Sequence, residues 1–211
     1  MTTLQIPQGA KRVVCLTEEP TEILYALGEG ERIVGISAYT VRPPEAKENK
    51  PVVSAFIGGS VEKIKALKPD LVIGFSDIQA DLAKQLIGAN LQVLIFNQRS
   101  IQDILEVIVD IGSLVEKRDE AKVLVSSYIQ RIERVADRVS LRSYRPRVYF
   151  EEWDDPLICG IEWVSEIIEI AGGNDVFKEK ARGRSAKERI VSANEIADLR
   201  PEVFLASWCG K

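Results

Sequence analysis

Two stretches of this chain repeat one order of parts. "IKALKPDLVIGFS" (64–76) and "IADLRPEVFLASW" (196–208) both place a helical segment before a basic residue, a proline, an acidic residue and an apolar run. "RVVCLTEEPTEILYALG" (12–28) and "RVYFEEWDDPLICGIEW" (147–163) share an apolar run, adjacent acids with a proline, and a helical pattern. Both matches lie about 130 residues apart and in the same order, which indicates a long-range duplication. The sequence therefore predicts two lobes built on one plan.

Within the first copy, apolar runs alternate with helical patterns. Short runs at 12–16, 32–37, 70–75 and 91–96 are typical of buried parallel strands. Helical spacing follows Pro20, Ser60 is a suitable N-cap for the segment after it, and 77–87 is also helical in pattern. The stretch 42–51 is predicted to be a loop, because it combines Pro-Pro with several charges. This alternation predicts an α/β fold with a parallel sheet.

A helical segment separates the two copies. An apolar stripe with helical spacing runs through 101–139, with Ser100 as its N-cap and a break near 116–119. We therefore expect an N-terminal α/β lobe over 1–98, a helical connector over 99–140 and a C-terminal α/β lobe over 141–211. The second copy stops soon after the strand that matches 70–75. We expect the second lobe to be incomplete, with one strand fewer than the first.

The amino-acid composition disfavours several classes of function. The net charge of −4 provides no basic surface for nucleic acid, and the absence of histidine disfavours zinc or manganese sites and triad chemistry. No apolar stretch approaches the roughly 20 residues of a membrane span, so direct membrane insertion is not expected. The start lacks a secretory apolar core, which as written predicts a soluble, cytoplasmic protein; a processed periplasmic or cell-surface form is the alternative.

The carboxyl ends of the predicted strands carry aromatic and acidic side chains. In open α/β sheets ligands bind at this edge. Several aromatics at loop tips are typical of a cleft for a large, flat organic ligand, although each could instead pack beneath its own loop. The candidate ligand-binding residues are Thr17, Glu18, Tyr39, Phe56 and Phe75 in the first lobe, and Trp153, Asp154, Trp208 and Cys209 in the second.

The motifs "ALKPDLVIG", "SAYTVRPPEA" and "VYFEEWDDPLICG", together with the central helix, resemble the substrate-binding proteins of ABC importers for vitamin B12 and iron complexes. Among these the chain is most similar to the cobalamin-binding, BtuF-like group. The resemblance implies two α/β lobes on a rigid helical backbone. It also implies a corrinoid between the lobes, which brings its own cobalt, so no covalently bound cofactor and no metal ligand from the protein is expected.

The resemblance also assigns roles to individual residues. Tyr39, Phe56 and Phe75 would line the first wall of the site, and Trp153, Asp154 and Trp208 the second. Family members dock on arginines of a membrane permease through surface acids, and Glu62 is the position that matches. Glu62 could equally be a solvated acid that favours the helix dipole.

Other interpretations stay open. A ferric siderophore or heme could occupy the same fold, although such ligands favour basic partners that the candidate residues lack. An enzyme using the acidic loop 151–155 belongs to a different class, but no nucleophile–base set and no phosphate-binding loop supports it, so we do not expect an enzyme. An interaction-only protein is a further alternative. Cys159 and Cys209 could face a ligand or be buried thiols, and the latter is commoner.

Overall fold

The computed structural model describes residues 8–208. The strands are β1 Val13–Cys15, β2 Ile33–Ser37, β3 Val52–Ser54, β4 Leu71–Phe75, β5 Val93–Phe96, β6 Arg147–Asp154, β7 Leu157–Cys159, β8 Asn174–Asp175 and β9 Val203–Ala206. The α-helices are α1 Glu18–Ala26, α2 Pro44–Asn49, α3 Val61–Ala66, α4 Ala80–Gly88, α5 Ile101–Leu114, α6 Arg118–Ser140, α7 Glu162–Ile170, α8 Lys178–Ala181 and α9 Ala193–Leu199. Short 3-10 turns lie at Gly30–Arg32, Asp77–Gln79 and Ala186–Arg189.

The described chain divides into two compact units. Unit 1 contains the chain up to Gln98 together with Leu105–Val125, and unit 2 contains Arg99–Ile104 together with the chain from Ser126 onward. Helices α5 and α6 therefore each contribute to both units. Along 8–208 we find no helix with the length and apolar character that a membrane span requires.

Unit 1 is built on a five-stranded sheet in the order β3-β2-β1-β4-β5, and all four pairings are parallel. The sheet is buried on both faces. Val13, Cys15 and Ile73 pack on one face with Leu24 of α1 and Ile111 of α5. The opposite face packs against α3 and α4 through another cluster of apolar side chains: Val14, Leu16, Val53, Ile64, Val72, Leu82 and Leu86. Burial on both faces explains why the strands read as continuous apolar runs.

Two elements of unit 1 differ from the sequence interpretation. Strand β3 was not predicted, because it has three residues and its first, Val52, is exposed. The predicted loop over 42–51 contains the helix α2, so that prediction was wrong. Pro44 occupies a first-turn position, where its fixed φ suits a helix and its missing N–H is no loss, and Glu45 lies in the same turn.

The helical segment begins and breaks where the sequence predicts. The backbone N–H of Asp103 donates to Ser100 Oγ (3.1 Å), and the N–H of Ser100 donates to Asp103 Oδ2 (3.0 Å). These two bonds cap α5. Helix α5 ends at Leu114 and α6 begins at Arg118, with Glu116 between them at a positive φ of 62°.

Unit 2 has a smaller sheet with β6 at its centre. Strands β8 and β9 pair with β6 in parallel, and β7 pairs with it antiparallel. The predicted α/β fold class is confirmed, and within the described residues the second sheet has four strands against five in the first. The antiparallel β7 was not predicted, so the second sheet is mixed. Its core is formed by Tyr149, Cys159 and Phe177, with a second apolar cluster around Val148 and Ile168.

Candidate functional site

The carboxyl ends of four neighbouring strands in unit 1 are tied together by hydrogen bonds. Ser54 Oγ, at the end of β3, donates to the Leu16 carbonyl after β1 (3.2 Å). The Ala38 N–H, after β2, donates to the Ser54 carbonyl (2.8 Å). The Gln79 side chain, after β4, bonds to the Phe56 carbonyl (3.0 Å). These contacts bring the predicted first-lobe residues to one edge of the sheet.

Tyr39 and Phe56 form an aromatic pair at this edge. Their ring centroids lie 6.2 Å apart with an interplanar angle of 81°, an edge-to-face arrangement. Tyr39 is 48% exposed and Phe56 43% exposed, so each ring keeps a large open face although it contacts the other. Exposed Ile57 and Ile78 follow β3 and β4 in the chain. Apolar surface of this kind at a strand edge favours contact with a large apolar ligand.

Phe75 lies inside the strand, not at a loop tip. It is the last residue of β4, it is partly buried, and it pairs in register with Phe96 of β5. Its backbone N–H donates to Gln79 Oε1 (3.0 Å). Phe75 is therefore held more firmly than Tyr39 or Phe56, and its role as a ligand contact stays a prediction.

Thr17 and Glu18 begin helix α1. Thr17 is the N-cap residue in extended conformation, and its buried Oγ1 has no hydrogen-bond partner. Glu18 lies in the first helical turn, beside Glu19. Partial burial raises the pKa of Glu18, and the neighbouring charge of Glu19 raises it further, whereas Arg42 and the backbone of Val41 act in the opposite direction. The edge thus offers the half-buried carboxyl of Glu18 to a polar group, whereas the Thr17 hydroxyl is buried and its contact with a ligand stays a prediction.

Trp153 and Asp154 lie in strand β6, and the predicted acidic loop 151–155 is a β-hairpin. Trp153 pairs in register with Ile158, and Asp154 with Leu157. The Trp153 Nε1–H donates to the Asp155 carbonyl (2.9 Å) across the turn. The loop prediction was therefore wrong: the turn at Asp155 joins two strands, and helix α7 begins only at Glu162.

Trp208 is held beside this hairpin through Glu151. Its Nε1–H donates to Glu151 Oε1 (3.1 Å), and the ring remains 40% exposed. The Ser207 N–H donates to the Glu151 carbonyl (3.0 Å), which continues the pairing of β9 with β6 by one residue. Tyr149 Oη donates to Glu151 Oε2 (3.1 Å), and burial together with the Glu151 charge raises the pKa of Tyr149. Cys209 lies outside the described residues.

The remaining acids of the hairpin have structural partners. Glu152 forms a two-pronged ion pair with the buried Arg189, at 2.5 and 2.9 Å. Glu151 accepts hydrogen bonds from Tyr149 and Trp208, whereas Glu152 pairs with Arg189, so the two carboxylates have separate partners. They are not placed as a carboxylate pair for acid–base chemistry. Arg189 was not predicted as a site residue, because its partner is 37 residues away and its own surroundings are of mixed charge.

Cys159 is a core residue. It ends β7, is 1% exposed and packs in the cluster that contains Tyr149 and Phe177. Burial raises the pKa of its thiol to about 11, and burial raises that of Cys15 to about 12. Both thiols are therefore protonated at neutral pH, which makes them poor metal ligands. Among residues 8–208 no three His, Cys, Asp or Glu side chains group into a metal site.

Glu62 lies on the surface of unit 1. It is exposed in the first turn of α3, after Ser60, whose Oγ accepts a hydrogen bond from the Lys63 N–H (3.3 Å). This confirms the predicted cap. The position of Glu62 suits both a docking acid and an acid that favours the helix dipole.

An α/β chain of two compact units, with aromatic side chains at strand edges, has the architecture of a solute-binding protein. The sequence profile of the periplasmic binding protein family matches residues 13–211, and the chain belongs to that family. Among curated relatives, the Vitamin B12-binding protein of Yersinia pestis (strain Pestoides F) is 28% identical over 208 residues, covering 95% of this chain and 70% of the relative. The relatives are binding proteins, and this chain is not an enzyme.

Solved structures with the same fold have different ligands in their names. The periplasmic Vitamin B12 binding protein BtuF of Vibrio cholerae superposes with a TM-score of 0.76 at 25% identity, covering 95% of this chain and 78% of that one. A periplasmic heme binding protein from Pseudomonas aeruginosa superposes with a TM-score of 0.82 at 21% identity, covering 96% and 73%. At these identities the heme-binding structure supports the fold alone.

Proposed function

We propose that this protein binds a corrinoid, such as cobalamin or cobinamide, as the substrate-binding component of an ABC importer. The observation that carries the proposal is the half-exposed aromatic pair Tyr39–Phe56 at the carboxyl edge of the first sheet. The similarity to Vitamin B12-binding proteins over 95% of the chain supports the same ligand class. In the proposed complex the corrinoid contacts the aromatic pair of the first unit, and Trp153 and Trp208 of the second unit are further candidate contacts.

The chemistry of a corrinoid suits these side chains. Its macrocycle is large and flat, so uncharged aromatic rings can pack against its face. Its amide side chains can use the partly buried carboxyl of Glu18 as a partner. The ligand carries cobalt with its own equatorial nitrogens, so binding does not depend on a metal site built by the protein.

Heme or a ferric siderophore is the second candidate, because a heme binding protein from Pseudomonas aeruginosa has the same fold. Heme carries two propionates, and siderophores present anionic oxygens, so both prefer Arg or Lys partners. At the first-unit edge the charges are mainly acidic, with Glu18, Glu19 and Glu22 present. Arg42 is paired with Glu22 at 3.3 Å. This charge pattern favours the corrinoid.

The proposal is tested by titrating the purified protein with cyanocobalamin, dicyanocobinamide, hemin and a ferric siderophore, using calorimetry and tryptophan emission. We expect one corrinoid per chain, and quenching of Trp153 and Trp208 because the corrin absorbs near their emission. Binding of hemin or the siderophore with no corrinoid binding would leave the family assignment intact and refute the ligand.

Tyr39→Ala tests the location of the site. Loss of one stacking face typically costs about 1–3 kcal/mol, a roughly ten- to hundredfold loss in affinity. Tyr144→Ala is the matched control, because Tyr144 is also an exposed tyrosine but lies before β6, where it donates to Glu202. Equal corrinoid affinities for the two variants would show that the aromatic pair does not contact the ligand.

A further inference from the structure

Gln79 is a buried amide at the edge of the sheet that carries the aromatic pair. It ends the 3-10 turn Asp77–Gln79 between β4 and α4, and it is 0% exposed. An amide removed from water needs hydrogen-bond partners within the protein, because an unpaired one is destabilising. Gln79 has such partners, and they belong to three different strand ends.

The side chain of Gln79 bonds to residues that follow β1 and β3 and to the last residue of β4. Its Nε2 donates to the Phe56 carbonyl (3.0 Å) and, at longer distance, to the Leu16 carbonyl (3.4 Å). Its Oε1 accepts from the Phe75 N–H (3.0 Å). Both donor hydrogens and one acceptor position of the amide are thus used. One side chain therefore joins segments that are up to 63 residues apart in sequence.

Gly74 makes room for this amide. A Cβ atom at Gly74 would lie 2.5 Å from Gln79 Oε1 and 2.7 Å from Ile95 Cδ1. Both distances are shorter than any normal contact. A glycine inside a strand often marks a place where another group approaches closely, and here that group is the Gln79 side chain. The sheet is thus shaped around the amide.

Gln79 acts on the aromatic pair through Phe56. The Ala55 N–H donates to the Gly58 carbonyl (2.6 Å), so Phe56 and Ile57 form the tip of a tight turn. We call residues 55–58 the Phe56 turn. The Phe56 carbonyl is the group that Gln79 holds, and the Phe56 ring contacts Tyr39. A continuous series of contacts therefore runs from β4 through Gln79 to both rings.

We propose that Gln79 is a positioning residue that fixes the Phe56 turn, and with it the aromatic pair, in the geometry that receives the ligand. The inference rests on the proposed function for the identity of the ligand. A wall fixed before binding does not lose side-chain and loop entropy when the ligand arrives, so affinity rises without a new contact. Gln79 itself does not touch the ligand, because it is fully buried.

Gln79→Met tests this by keeping the length of the side chain and removing its hydrogen bonds. Gln85→Met is the matched control, because Gln85 is exposed on α4. In the Gln79 variant we expect amide exchange of Phe75 and the Phe56 turn to accelerate about tenfold, and cyanocobalamin affinity to fall about tenfold, since buried partners lose their bonds. Amides of β1 should keep their protection. Exchange and affinity equal to the control would overturn the inference.

Gln79→Glu provides a second variant if the methionine variant does not fold. In its ionised form a carboxylate at this position can accept from the Phe75 N–H but cannot donate to the Phe56 carbonyl. Burial raises the pKa of such a carboxyl, so it becomes neutral as the pH falls and regains one donor. The affinity ratio of wild type to variant should therefore approach one between about pH 8 and pH 5. A ratio that stays constant across this range contradicts the positioning role.

The two measurements separate this inference from the proposed function. If the wild-type protein does not bind cyanocobalamin, the proposed ligand is refuted. The positioning role of Gln79 is then tested by the amide exchange rates of the Phe56 turn alone. If wild type binds cyanocobalamin and both methionine variants bind it equally, the proposed function stands and the positioning role of Gln79 is refuted.

Discussion

The ion pair between Glu152 and Arg189 joins the β6–β7 hairpin to the 3-10 turn before α9. Arg189 Nη1 and Nη2 each donate to one carboxylate oxygen of Glu152, at 2.5 and 2.9 Å, and Nη1 also donates to the Cys159 carbonyl (2.6 Å). The Arg189 side chain is 6% exposed and that of Glu152 is 36% exposed. Parallel two-pronged bonds of this kind are strong and directional. The pair therefore holds the hairpin that carries Trp153.

Glu152→Gln removes the negative charge with little change of shape and leaves the guanidinium of Arg189 buried without its counter-charge. Breaking a fully buried pair costs about 3–5 kcal/mol. Because a third of the Glu152 side chain is exposed, solvent screens part of this loss, and we expect about 2 kcal/mol. For a chain of this length that corresponds to a fall in melting temperature of about 4–8 °C.

Urea unfolding of wild type, Glu152→Gln and Glu179→Gln measures the effect. Glu179 forms an exposed i,i+3 pair with Arg182 (2.7 Å), so its loss should cost no more than about 0.5 kcal/mol. The double variant Glu152→Leu with Arg189→Met removes both charges together and should recover much of the lost stability. A loss for Glu152→Gln no larger than for Glu179→Gln would refute the argument. The stability losses of Glu152→Leu and Arg189→Met are also measured separately. A double variant whose loss equals the sum of these two losses would refute the argument as well.

Two further predictions concern surface carboxylates. Hydrogen bonds from the N-cap residue of α9 lower the pKa of Glu195 to about 2. A depressed pKa contributes stability above the unfolded value of about 4.3, and this stability is lost as the pH falls towards 2. Glu195→Gln should therefore flatten the pH dependence of stability in that window, and an unchanged slope would contradict this. Under the proposed role in an ABC importer, Glu62→Arg should weaken association with the permease about tenfold, measured by surface binding. Glu48→Arg on α2 should not weaken it. Equal effects would count against docking through Glu62.

The architecture of unit 1 was predictable because its strands are buried on both faces. Burial on both faces produces uninterrupted apolar runs, so β1, β2 and β4 could be predicted from the sequence. The apolar run of β5 was also predicted, because its partly buried residues pack against both apolar clusters. Strand β3 was not visible, because its three residues at the edge of the sheet carry little hydrophobic signal. Ser60 and Ser100 were predicted as caps because capping depends on residues only three positions away.

The candidate site was predictable at the level of segments but not of contacts. Tyr39 follows the predicted strand β2, and Phe56 lies in the loop before the helix capped by Ser60, so their shared edge could be inferred from topology. Gln79 and Arg189 could not be found in this way, because their partners are distant in sequence. The carbonyls that Gln79 binds lie 23 and 63 residues away, and Glu152 lies 37 residues from Arg189. A glutamine after a strand or an arginine in a mixed-charge stretch has no local signature of burial.

The acidic segments of the two copies show that similar sequence motifs do not occupy equivalent positions in the two units. In unit 1, Glu18 and Glu19 follow β1 directly and form the first turn of α1, where the helix dipole favours negative charge. In unit 2 the acids lie within β6, and the chain makes a hairpin before α7 begins. Glu151 there accepts from Trp208, and Glu152 pairs with Arg189. The acids of the first copy thus lie at the start of a helix. Those of the second copy stabilise the hairpin that contains Trp153.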